Sequence, residues 1–294
     1  MMRENRARRL RAWIVAAAFA LALWAGGAVD HGETLAQGQG RSSGRDGLDG
    51  LELAFRYVTV GWLDWAAVQL AETAGMQPES ETLVLLGMVQ QAMGRSAAAL
   101  DAYRQGAELA RDPRARSAAL ALAGMLFIQE GRLSEAGDVL ARALELSPTS
   151  AQAMFGLGTI AEQRSLPDEA VRWYEEAAQA SPEWIQPVIR ASSLHNAAGR
   201  HGRALKLLRR AESLGTWNAE FHYQLALGYE GLMRAAGEGR LDADDAELLK
   251  ELGAGPLAED VRLRELALHA ADRALQLQPG HRGAEELLAR LSQT

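Results

Sequence analysis

Through the middle of this chain one pattern returns every 34 residues, and that period constrains the fold more than any other feature. Gly124 recurs as Gly158, Ala136 as Ala170 and then Ala204, Leu140 as Tyr174 and then Leu208. Ala143 recurs as Ala177 and then Ala211, and Pro148 as Pro182. A unit of this length is too small to bury its own apolar face, so it must stack on its neighbours. Stacked arrays mostly present surfaces to partners. The period therefore predicts binding as the work of this chain and leaves the ligand open.

Residues 151–184 show what one unit contains. Met154, Leu157, Gly158 and Ala161 follow the i, i+3, i+4, i+7 spacing of one helical face. Leu166-Pro167 interrupts the pattern, and Asp168 is the expected N-cap of a second helix, with Pro167 just outside it. Ala170, Tyr174 and Ala177 continue the spacing until Ser181-Pro182 stops it. The reading is two antiparallel helices joined by a short turn. Small residues at Gly158, Ala170 and Ala177 permit close helix approach, and Gly158 is expected to face Ala170.

These positions resemble the tetratricopeptide repeat family, whose signature Leu157-Gly158, Ala170, Tyr174, Ala177 and Pro182 fill well. Residues 117–148 fit through Gly124, Phe127, Gly131, Ala136, Ala143 and Pro148. Residues 185–216 keep Gly199, Ala204 and Ala211 but carry Ser192 where Gly is usual and Thr216 where Pro is usual. Upstream, 80–111 shows Leu86-Gly87, Gly94, Ala99 and Tyr103, and 47–79 shows Leu53, Tyr57, Gly61, Ala66 and Pro78. The spacing is irregular there, with Asp112-Pro113-Arg114 as the excess. A sixth unit is split: Leu225, Ala226 and Tyr229 mark its first helix, and Ala267, Ala274 and Pro279 its second, around an insertion at 234–262. Residues 281–292 read as a capping helix with Leu287, Leu288 and Leu291 inward. The resemblance implies an all-α, right-handed solenoid of about six helix–turn–helix units over 47–292.

The front of the chain reads differently. Arg3, Arg6, Arg8, Arg9 and Arg11 precede an apolar run from Trp13 to Val29. A charged head, a short apolar core and small residues at Gly26-Gly27-Ala28 are the layout of a secretory signal or signal anchor over 1–29. The run is at the lower limit for spanning a bilayer. If it is retained, the arginines stay cytoplasmic and the repeats lie outside the cytoplasm, either periplasmic or anchored to the inner membrane. Residues 30–46, with QGQGRSSGRD at 37–46, read as a flexible linker.

Composition excludes several classes. The chain has no cysteine, which removes disulfides, thiolate metal sites and thiol catalysis. It also removes lipoprotein processing, and so sets the chain apart from the lipoprotein pilotins that use this repeat. Of the 31 basic residues 29 are arginine, a bias that suggests a GC-rich bacterium. Without residues 1–29, 26 basic residues face 37 acidic ones, a net charge of −11. That surface repels phosphate backbones, so nucleic acid is not an expected partner. Membrane contact is expected only through residues 13–29, if they are not cleaved off.

No phosphate loop, nucleophile elbow or metalloprotease helix is present. His195 and His201 do not share a helical face, and His195 falls where a packed aromatic is usual. The acidic stretch from Asp242 to Glu247 lacks the offsets of a calcium loop, and Asp242 or Asp244 reads as a helix cap. No catalytic residue, metal or cofactor is expected.

In the resembled family the first helices line the concave face. Carried over position by position, the resemblance implies a partner groove holding Met88, Gln91, Met125, Phe155, Thr159, Gln186, Ile189 and Tyr223. The carboxylate clamp of chaperone-binding members is not matched, because Phe155, Thr159 and Ser193 stand where Lys, Asn and Arg would. An apolar groove with Met88 and Met125 suits an amphipathic helix or extended segment. Some of these residues could instead pack between adjacent first helices, or the groove could be covered by the insertion 234–262. The functional expectation is a non-catalytic scaffold or assembly factor, working with proteins of a bacterial envelope complex. The alternative is a component of a polysaccharide export or synthesis complex.

Overall fold

Seven times among the described residues a helix ends, the chain passes a residue with a positive φ, and another helix follows. In the computed structural model, residues 42–252 and 259–293 are described, and among them all regular structure is helical. Fifteen helices are present among these residues. They form two units that meet at Gly156/Leu157 and are taken in turn.

The first unit contains α1 (Ser42–Val60), α2 (Leu63–Met76), α3 (Ser80–Ala92), α4 (Ser96–Leu109), α5 (Pro113–Gln129), α6 (Leu133–Leu146) and the start of α7 (Ala151–Gln163). From α1 to α6 each helix packs against the next. Helix α1 begins at Ser42, inside the stretch read as a linker, so the helical array starts five residues earlier than the sequence pattern suggests. The rest of that linker, and the signal or anchor at 1–29, lie outside the described residues.

The pairs are closed by a recurring contact sixteen residues apart. A Cβ on Gly87 would lie 2.6 Å from the Tyr103 ring, and one on Gly124 would lie 2.6 Å from Leu140. Any side chain at these glycines would displace the large residue of the second helix. Two buried serines add a polar tie: Ser80 Oγ donates to the Gly106 carbonyl and Ser117 Oγ to the Ala143 carbonyl, both at 2.8 Å. The Asp112-Pro113 excess has a local reason. Asp112 caps α5 with Pro113 in the first turn, and Arg116 donates to the Ala107 and Ala110 carbonyls at the end of α4.

The second unit continues α7 and adds α8 (Pro167–Ala180), α9 (Ile185–Ala197), α10 (His201–Arg210), the single turn α11 (Glu212–Gly215), α12 (Ala219–Gly237), α13 (Ala243–Glu251), α14 (Glu259–Leu277) and α15 (Arg282–Gln293). Here Gly158 meets Tyr174, not Ala170: its Cβ would lie 2.7 Å from the ring. Asp168 is not the cap either. Leu166 holds that position, Pro167 is inside the first turn, and Asp168 instead pairs with Arg200 at 2.8 Å.

The split sixth unit is α12 against α14. Helix α15 closes the array, with Leu287 and Leu291 buried and Leu288 packed against the same core. Within the insertion, α13 packs on α10. Asp242 caps α13 in a reciprocal box with Asp245. Asp245 then accepts the Gly202 amide at 2.7 Å. Arg203 and Lys206 of α10 bond Asp244, and Leu248 and Leu249 enter the core.

Candidate functional site

Because each large residue lies over a small one on the first helix, the remaining first-helix side chains are left along one edge of the pair. In the first unit Gln91 is half-buried and central. Tyr103 Oη donates to Gln91 Oε1 at 2.8 Å, and Gln91 Nε2 donates to Gln129 Oε1 at 2.9 Å. The two first helices α3 and α5 are thus linked by a pair of amides. Burial pushes the Tyr103 phenol well above its ordinary range, so it stays a donor at neutral pH. Met125 and Phe155 are half-buried in the same unit, and the Met125 sulfur lies 3.3 Å from where a Gly156 Cβ would be.

In the second unit the equivalent tyrosine meets a charged partner at its far end. Tyr174 Oη donates to Glu162 Oε2 at 2.8 Å and lies 3.3 Å from Thr159 Oγ1. Arg190 of α9 bonds the other oxygen of Glu162 at 2.5 Å. Burial pushes the Tyr174 phenol up to about 12. The result is a half-buried set of donors and acceptors on α7 and α9, with Arg190 and Glu162 partly open to solvent. Gln186 is also half-buried on α9.

Three of the predicted groove residues do other work. Met88 is 4% exposed and packs in the core with Val84, Tyr103 and Leu126. Ile189 is 3% exposed and belongs to the core around Leu205 and Phe221. Their helix faces turn inward because the next first helix covers them, which a single-helix pattern does not show. Tyr223 lies under the capping helix, its ring centroid 4.7 Å from His281 and its phenol over Gly283. The expectation of an apolar groove through Met88 is therefore corrected: Gln91, Met125 and Phe155 remain half-buried in the first unit, Thr159 and Gln186 in the second, and each set is mixed in character. Sequence reading missed Glu162, Gln129 and the two tyrosine hydroxyls. Tyr103 and Tyr174 each lie four residues after the repeat alanine, which was the available signal.

His195 is buried, with Nε2 2.9 Å from Glu175 Oε1, so it packs as the repeat position suggests. Among the described residues no group of three or more His, Asp or Glu is placed to hold a metal. No helix among them is long and apolar enough to cross a membrane.

Residues 84–151 and 140–183 match a family model described as tetratricopeptide repeat. The chain is 35% identical over 101 residues to human "Tetratricopeptide repeat protein 7B", and 34% identical over 99 residues to "Photosystem I assembly protein Ycf3" of Acaryochloris marina. These matches involve 33% and 31% of the chain, and span 12% and 60% of the two relatives. A solved structure titled "Functional Characterization of Pseudomonas Aeruginosa pilF" superposes with a TM-score of 0.60, covering 85% of this chain and all of that one at 18% identity. At that identity the likeness shows the fold alone.

Proposed function

Since this chain is a tetratricopeptide-repeat protein, we propose that it is a scaffold or assembly factor in the bacterial envelope, holding a helical or extended segment of a partner along its first helices. Tetratricopeptide repeats generally mediate protein–protein interaction and assembly, and typically act as non-catalytic scaffolds. One of the relatives above is by its name an assembly protein. The observation that carries the reading is the set of polar first-helix side chains left accessible within each unit. It offers amides at Gln91 and Gln129 in one unit, and a carboxylate, a guanidinium and a hydroxyl at Glu162, Arg190 and Thr159 in the other. Beside them Met125 and Phe155 supply adaptable apolar contact. Such a mixture suits a peptide segment, which brings both backbone hydrogen bonds and side chains. The envelope location rests on the arginine-headed apolar run at 13–29.

Two measurements test this. A periplasm-dependent reporter fused after residue 41 should lose activity when residues 3–29 are deleted; activity that survives would remove the export reading. Met125→Glu with Phe155→Glu should leave helicity intact and abolish recovery of the bound partner from the full chain. If recovery is unchanged, the first-helix edge is not the binding face.

A further inference from the structure

The second helices of the array share a register set by the repeat alanines Ala66, Ala99, Ala136 and Ala170, each fully buried. Two positions after these alanines the outward face carries Asp101, Asp138 and Arg172 in three of the units, but Val68 in the first. One position before them it carries Ala98, Glu135 and Glu169, but Trp65 in the first. Trp62 and Trp65 are 59% and 63% exposed, and Val60, Val68 and Met76 are more than half exposed on the same helix pair. Tyr57 stacks on Trp62, with ring centroids 6.1 Å apart, which holds the indole in place on the surface. Farther along α2, Ala71 and Gly75 help line a hollow of about 410 Å³ with Leu86 and Leu109. A contiguous apolar patch of this kind marks an interaction surface.

We propose that this stripe is the face that lies against a lipid bilayer. The inference rests on the reading of residues 13–29 as a retained membrane segment. Twelve residues, 30–41, separate that apolar run from α1, and twelve residues reach at most about 40 Å. The first helix pair is therefore held at the membrane surface at high effective concentration, and weak affinity suffices. Indole and phenol rings favour the interfacial zone, where one end of the ring is apolar and the other wet. Charge favours neutral headgroups: the chain is acidic overall, Asp64 beside the stripe is held by Arg95 at 3.0 Å, and Glu72 sits within it.

The absence of cysteine makes the test direct. Full-length protein carrying Val68→Cys, labelled with an environment-sensitive fluorophore, is mixed with phosphatidylcholine vesicles containing nitroxide lipid. Asp138→Cys, the equivalent position in another unit, is the control. The expected result is that both proteins float with the vesicles, that the label at 68 is quenched several-fold more than that at 138, and that added salt changes neither. Flotation with equal quenching overturns the proposal and leaves the membrane segment standing. Failure to float overturns the reading of 13–29 and this proposal with it. A label at 68 already shielded from aqueous iodide without vesicles shows that a second copy or the chain itself covers the stripe, and also overturns the proposal.

Discussion

Gly158 and Tyr174 are in contact across a helix pair, so closely that a methyl group on the glycine would lie 2.7 Å from the ring. Tyr174 is fully buried and its hydroxyl is committed to Glu162, so the ring has little freedom to withdraw. Gly158→Ala should therefore destabilise by about 1–3 kcal/mol, and Gly158→Leu by more. Thermal melts of the two variants would check this. An unchanged melting temperature for both would mean the ring has room that the contact denies.

Met88 offers the clearest test of the corrected groove. As a residue of the core, truncation to alanine should cost about 2–5 kcal/mol. Chemical denaturation of Met88→Ala should show that loss. A variant of normal stability that fails only in partner recovery would restore Met88 to the binding face.

At the turn between α7 and α8, Ser165 holds φ 59°, where Gly94, Gly131 and Gly199 hold the same place in other pairs at 74° to 77°. The Leu166 amide donates to the Ala161 carbonyl across it at 2.9 Å. A left-handed backbone costs a residue with a Cβ about 1–2 kcal/mol. Ser165→Gly should raise the melting temperature, offset in part by the entropy of the unfolded glycine. A fall on substitution would mean the serine side chain contributes more than the strain it carries.

The insertion is fastened by Asp245, which is 1% exposed and accepts from the Gly202 and Asp242 amides. Asp245→Ala leaves two donors without their acceptor, at about 1–3 kcal/mol. Limited proteolysis should then cut within 234–262 sooner than in the parent. An identical cleavage pattern would show that the apolar contacts of Leu248 and Leu249 hold the segment alone.

His201 gives the array an acid limit. Burial against Gly231 lowers its pKa below the ordinary histidine value, although Asp245, Asp242 and Glu230 oppose the shift and Arg234 adds to it. The unfolded chain then takes up a proton near pH 6.5 that the folded chain refuses, so stability falls as pH drops through that point. Melts of the parent between about pH 7 and 5 should show the fall, and His201→Gln should flatten it. Equal slopes would assign the acid sensitivity to other groups.

The 34-residue return of small and large residues determined by itself that the chain is helical, that its helices pair, and where most pairs begin and end. These are local and nearest-neighbour matters, because helix period, turn chemistry and the space beside a glycine are all fixed within one or two units. Even the acidic stretch at 242–247 could be read as a cap, since a cap concerns residues three apart. Only the tertiary structure decided which residue each glycine faces and which first-helix residues remain at the edge. Met88 and Met125 fall one residue after Gly87 and Gly124, yet the first is core and the second is not. The difference comes from how completely the following helix covers each site, a property of packing between units that no single unit's sequence contains. The same reason hid the docking of 243–251 on α10, because an insertion has no counterpart in the repeat from which its position could be read.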